Sequence, residues 1–180
     1  MRIIGGSHKG RRFNPPASYT GRPTTDYARE SLFNILHHRY DVRDAMVLDL
    51  FAGVGSVSYE FASRGAARVT AIEQDVRAVK FISQTATSFG LSAIAPLRGD
   101  VFNWLKTSRA KWDVVFADPP YDLEKLTSLP EMVKACDMLN PDGLFILEHG
   151  PDHSFADHEH CFDERKYGHV HFSFFNFEQP

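Results

Sequence analysis

The sequence predicts an α/β fold built on a mainly parallel sheet, and three observations carry that expectation. Short apolar runs alternate with segments of helical spacing over most of the chain, and such alternation places parallel strands under helices on both faces. The run Met46–Leu50 ends at a glycine turn, as strands do where an open sheet binds a ligand. The last segment, His169–Phe177, alternates and is aromatic-rich with no helix before it. It reads as an antiparallel strand paired with the stretch near Glu159–Glu164.

Taken in order, residues 2–5 and 10–13 resemble two short strands around Gly5-Gly6-Ser7-His8-Lys9-Gly10. Residues 14–23 are rich in Pro, Gly and Thr and read as a linker. The expected division is a basic hairpin and linker over 1–23 and a main domain over 24–180. Thr24 or Thr25 can cap a helix whose buried face is Ala28, Leu32, Ile35 and Leu36. Val57–Arg64 suits a helix stopped by Gly65. Arg68–Glu73 is the next strand, and Val76, Val79, Ile82, Ala86 and Phe89 keep helical spacing. Ile94–Leu97 and Asp113–Ala117 are strands, Leu123–Leu139 is mainly helical despite Pro130, and Leu144–Glu148 is a strand.

The 180 residues fit one domain, and 43% hydrophobic content supplies a sizeable core. No apolar run approaches the ~20 residues of a membrane span, and the N-terminus lacks the apolar core of a signal peptide. Cys136 and Cys161 form no C-x-x-C pair, which suits a reducing compartment. A cytoplasmic protein is expected. Residues 1–25 hold Arg2, Lys9, Arg11, Arg12 and Arg22 and no acid. Against a net charge of −3, that +5 leaves −8 on the rest. A basic end on an acidic body suggests a polyanion partner for that end.

The glycine turn is the first candidate site. Gly53 and Gly55 permit a tight turn and close approach of a ligand to the backbone. Asp49, just before them, could bind a cationic amino group. Glu73 ends the second strand, 20 residues after Gly53, where an acid accepts bonds from ribose hydroxyls. Asp100 could accept a bond from an adenine amine, with Val101 or Phe102 against the ring, or it could simply cap the helix that follows. A dinucleotide fingerprint needs a third glycine at position 58, where Ser58 stands. These features alone do not separate a nicotinamide cofactor from S-adenosylmethionine.

Asp118-Pro119-Pro120-Tyr121 narrows the chemistry. An exocyclic base nitrogen is a poor nucleophile because its lone pair is delocalised into the ring. Acceptors for its N–H groups help to localise that pair, and the Asp118 carboxylate and Pro119 carbonyl can both accept. The prolines fix the backbone, and Tyr121 can stack on an extruded base. In-line methyl transfer then rests on positioning. His149, His153, His158 and His160 lie among acids, but their spacing has no strand or helix pattern around a catalytic turn, and no metal is expected.

At this point the chain resembles the bacterial 16S rRNA guanine-N2 methyltransferases, within the class I methyltransferases. The match includes Arg2-Ile3-Ile4-Gly5-Gly6, Lys9-Gly10-Arg11-Arg12, and Arg22-Pro23-Thr24-Thr25-Asp26 followed by Arg29-Glu30-Ser31-Leu32-Phe33-Asn34. It continues through Asp49-Leu50-Phe51-Ala52-Gly53, Ser63-Arg64-Gly65-Ala66, Asp118–Tyr121, Glu148-His149 and Tyr167-Gly168. The resemblance implies a Rossmann-like, seven-stranded sheet with one antiparallel strand and a small N-terminal hairpin. It implies S-adenosylmethionine as donor and one guanine of small-subunit rRNA, presented in a partly assembled 30S subunit, as acceptor. Under it, Asp118–Tyr121 hold the base. Asp49, Phe51, Gly53, Gly55, Glu73, Asp100, Val101 and Asp118 line the cofactor site, and Thr24 and Thr25 lie near it. RNA contact falls to Arg2, Lys9, Arg11, Arg12, Arg22 and Arg29, and the expected state is a monomer. Other acceptors remain open, namely adenine N6, cytosine N4 or a glutamine amide, as does a non-catalytic RNA-binding factor. Two departures stand out. Ser58 and Tyr59 replace the glycine and aliphatic residue common in relatives, and Glu148 to Glu164 hold six acids and no Lys or Arg.

Overall fold

The computed structural model describes residues 1–16, 19 and 25–178. Seven strands form one sheet in the order β3-β2-β1-β4-β5-β7-β6. They are β1 Met46–Leu50, β2 Arg68–Glu73, β3 Ile94–Arg98, β4 Trp112–Ala117, β5 Leu139–His149, β6 Cys161–Tyr167 and β7 Val170–Phe175. The first five pair in parallel. β7 lies antiparallel between β5 and β6, so it alone runs against the others. The expected seven-stranded sheet with one antiparallel strand is observed. Strand order reverses between β1 and β4, and that switch point opens a crevice at their carboxyl ends.

Side-chain alternation along β1 divides the core in two. Val47 packs with Leu32 and Leu36 of α1 (Asp26–Arg39), Val57 and Phe61 of α2 (Ser56–Ser63), and Ile82 and Ala86 of α3 (Val76–Phe89). Leu48 and Leu50 face the other layer, with Leu105 of α4 (Val101–Thr107) and Val133 of α5 (Leu129–Ala135). The same alternation turns Asp49 toward the α2 side. Thr25 caps α1 by accepting from the Ala28 amide, and Asp75 caps α3 through Arg77.

Three expectations are corrected. The two N-terminal strands reduce to one bridge, Arg2 to Arg12, closed by a 3-10 turn at Gly6–His8. Three backbone hydrogen bonds support it, from the amides of Ile3, Gly10 and Phe13. Such bonds are worth about 0.5–1.5 kcal/mol each. Burial of Ile3 and Phe13, 1% and 5% exposed, contributes about 1.5–3 kcal/mol apiece. Packing therefore holds the hairpin at least as firmly as pairing, and it does so inside the α1–α2–α3 core. The segment Leu123–Leu139 is only briefly helical, a 3-10 turn Leu126–Ser128 followed by α5. Pro130 is tolerated because it falls in the first turn of α5, and Asp137 breaks the chain away with φ 46°. β5 begins at Leu139, five residues before the expected Leu144, with a register shift opposite β4.

Candidate active site

Five strand ends converge on the crevice. The Asp118 amide donates to the Leu50 carbonyl at 3.3 Å, joining the ends of β4 and β1. The Ala52 amide donates to Ile72, which joins β1 to β2. Between them Phe51, Gly53 and Gly55 take φ values of 61°, 56° and 82°. The glycines occupy this left-handed region without cost, whereas Phe51 is held there against its preference. Glu73 secures the turn: one carboxylate oxygen accepts the Gly53 amide and the other the Asp75 amide, both at 2.8 Å. Each oxygen retains a second lone pair for a hydroxyl donor.

Asp49 is 1% exposed. The Ser58 hydroxyl donates to its Oδ2 at 2.5 Å. No Lys, Arg or His pairs with it among the described residues. Burial therefore pushes its carboxyl up to about 7, helped by Glu73 and opposed by Ser58. A buried carboxylate with no cation costs free energy until a cation arrives. With the glycine turn and Glu73 beside it, the site fits a ligand carrying an ammonium group and a ribose.

The wall formed by Phe51, Val101 and Phe102 is apolar. Val101 is buried, and Phe51 and Phe102 meet edge to face at 6.1 Å. Asp100 serves as the N-cap of α4, accepting the Asn103 amide at 2.9 Å. Of its two readings, the cap is present. Tyr19, unremarked in the sequence, stands across the turn. A Cβ at Gly53 would lie 2.5 Å from its phenol oxygen. Burial, with Glu73 and Asp118 nearby, raises that phenol to about 12. Thr24 lies outside the described residues. Thr25 is exposed, with its hydroxyl engaged in capping α1.

On the acceptor side, Pro119 is buried and Pro120 exposed. Tyr121 donates its hydroxyl to Glu148 Oε1 at 3.0 Å. Its ring lies flat enough on Gly150 that a Cβ there would come within 2.7 Å of Cδ2. Glu148 and Gly150, at the end of β5, thus fix the aromatic wall. Neither role was legible, because the partners lie 27 and 29 residues away.

Among the basic residues, Arg2, Lys9, Arg11 and Arg12 are exposed. Two of them have contacts on neighbouring helices. Arg11 sits 5.3 Å over Phe89 at the end of α3, whereas Arg2 pairs with Asp26 at the start of α1. Arg22 lies outside the described residues. Arg29 is corrected. It is fully buried, bonding the Arg2 carbonyl, Asp26 and Glu60, so this conformation offers no guanidinium face to RNA. Glu60, also missed, is its partner across 31 residues and also accepts the amides of Ile4 and Gly5. A cavity of about 690 Å³ is lined by Leu36, Arg43 and Arg64 among others and includes none of these strand-end residues.

A parallel sheet with this switch point, a glycine turn with a buried acid, and Asp-Pro-Pro-Tyr on the adjoining strand define a class I methyltransferase. The chain belongs to the family described as Conserved hypothetical protein 95, whose model matches residues 1–176. It is 33% identical over 153 residues to a putative rRNA methyltransferase, YlbH, of Bacillus subtilis, covering 83% of this chain and 82% of that one. It is 36% identical over 148 residues to ribosomal RNA small subunit methyltransferase D of Escherichia coli K12, covering 82% and 74%. The structure of a putative methyltransferase, yhhF, from Escherichia coli superposes with a TM-score of 0.85 at 26% identity, covering 97% and 96%.

Proposed function

We propose that the chain transfers a methyl group from S-adenosylmethionine to the exocyclic N2 of a guanine in small-subunit rRNA. One observation carries the reading: the Asp118 amide bonds the Leu50 carbonyl, so the amine-holding motif and the cofactor turn share one crevice. The names of the relatives support rRNA as the substrate class.

Asp49 receives the α-ammonium group of the cofactor, Glu73 the ribose hydroxyls, and Val101 with Phe51 and Phe102 the adenine. Gly53 and Gly55 let the backbone approach. The cofactor supplies an electrophilic methyl group on a sulfonium. Asp118 and the Pro119 carbonyl accept the N–H groups of the guanine amine, which turns its lone pair toward that methyl group. Tyr121, held by Glu148 and Gly150, stacks on the base. No strong base is required, because the methylated nitrogen is cationic and readily loses its proton to Asp118 or water.

Arg2, Lys9, Arg11 and Arg12 bind phosphates, so the hairpin of 1–23 serves as the RNA-facing part of a 24–180 catalytic body. The protein acts as a cytoplasmic monomer on a partly assembled 30S subunit, which presents the hairpin and crevice with one rRNA surface. None of the described helices is long and apolar enough to cross a membrane.

The test is methyl transfer from labelled cofactor to naked small-subunit RNA, to 30S particles from cells lacking the activity, and to DNA. Nucleoside digestion then identifies the product. N2-methylguanosine, with particles preferred, is expected. N6-methyladenine as the sole product would sink the assignment.

A further inference from the structure

Ser58 stands in the first turn of α2, fully buried, with its hydroxyl 2.5 Å from Asp49 Oδ2. Nothing in α2 calls for a hydroxyl there, since serine is a poorer helix former than alanine. A buried hydroxyl also costs free energy unless it finds a partner. Its partner is an acid that no cation neutralises among the described residues. Position 58 is where a third glycine would stand in a dinucleotide turn, and a glycine there could donate no side-chain bond.

We propose that Ser58 is a positioning residue for cofactor capture: by clamping one oxygen of Asp49, it presets the carboxylate that receives the cofactor's ammonium group. The proposal rests on the reading of Asp49 given above. A carboxylate oriented before binding loses less freedom on binding. Besides Ser58, the titratable groups facing Asp49 are Glu73 from β2 and Tyr59 from α2. Glu73 favours the neutral acid, whereas the bonds from the Ser58 hydroxyl and from its backbone favour the ionised form the ammonium group needs, and only the hydroxyl bond is lost when Ser58 is replaced.

The experiment compares two ligands by calorimetry near pH 7. S-adenosylhomocysteine carries the amino-acid group, whereas 5′-methylthioadenosine keeps adenine and ribose without it. Ser58→Ala should weaken S-adenosylhomocysteine about tenfold, the worth of one hydrogen bond to a charged group, and leave methylthioadenosine unchanged. Ser58→Gly, a second hydroxyl-free variant, should behave alike if Ser58→Ala folds poorly. Equal weakening of both ligands, or of neither, would overturn the proposal. Asp49→Asn, measured alongside, should abolish the preference for S-adenosylhomocysteine. If it does not, the reading of Asp49 fails and Ser58 with it. If it does while Ser58→Ala keeps the full preference, the role of Ser58 alone is lost.

Discussion

Asp49 of β1 and Glu60 of α2 are both buried carboxylates, at 1% and 0% exposure, yet their surroundings differ. Glu60 accepts two backbone amides and pairs with Arg29 and Arg64 at 3.4 Å each. Burial raises its carboxyl, and those four partners pull the other way. Asp49 has one serine and no cation. A buried charge with a complete partner set is architecture, here the joint between the N-terminal hairpin, α1 and α2. A buried charge that lacks a cation suits a receptor, the role proposed for Asp49. Burial alone would have classed the two together.

The largest effect should come from breaking the complete set. Arg29→Met removes the fully buried one of the two cations paired with Glu60 at the hairpin joint and should destabilise the fold by about 3–5 kcal/mol, read by urea unfolding. Cofactor affinity per folded molecule should hold. A stable variant with weakened RNA binding would restore Arg29 to the RNA surface.

Asp49→Asn should do the opposite: S-adenosylhomocysteine affinity falls on the order of 100-fold while the fold is not weakened. The sign follows from linkage. The folded carboxyl, at about 7, lies above its unfolded range. Its contribution to stability is therefore largest at low pH and is lost as pH rises through about 7. Removing the acid should flatten the fall in melting temperature between pH 5.5 and 8. A uniform loss of stability at every pH would make Asp49 structural like Glu60.

A smaller effect is expected on the acceptor side. Gly150→Ala must displace the Tyr121 ring, and we expect a rate on RNA about tenfold lower with cofactor affinity unchanged. Smaller still, the pair Arg11→Ala and Arg12→Ala should weaken RNA binding few-fold. It should reduce the salt dependence by between one and two counterions, with no change in calorimetric cofactor binding. Equal loss of both affinities would contradict the separation of hairpin and crevice.

Legibility followed the range of the interaction. β1, β2 and β4 were readable to within a residue because apolar runs and turns are local signals, and Asp49, Gly53, Glu73 and Asp118 follow from their strand ends. Arg29 was misread because charge suggests exposure, and its partner Glu60 lies on another helix. The Ser58–Asp49 bond was hidden for a different reason. Position 58 was visible as a missing glycine, but only the strand alternation that turns Asp49 toward α2 shows what the hydroxyl meets. The over-long helix at Leu123–Leu139 failed because Pro130 fits a first turn as easily as it breaks an interior.

Proton release on cofactor binding is the most direct test of the contrast. At pH 6.5 the ligand's α-amino group stays protonated, while Asp49 is largely neutral before binding. Calorimetry of S-adenosylhomocysteine in buffers of different ionisation enthalpy should show release of more than half a proton per site, and none from Asp49→Asn. No release from the native protein, or the same release from both, would contradict the assignment of Asp49 as the receptor for the cofactor's cation.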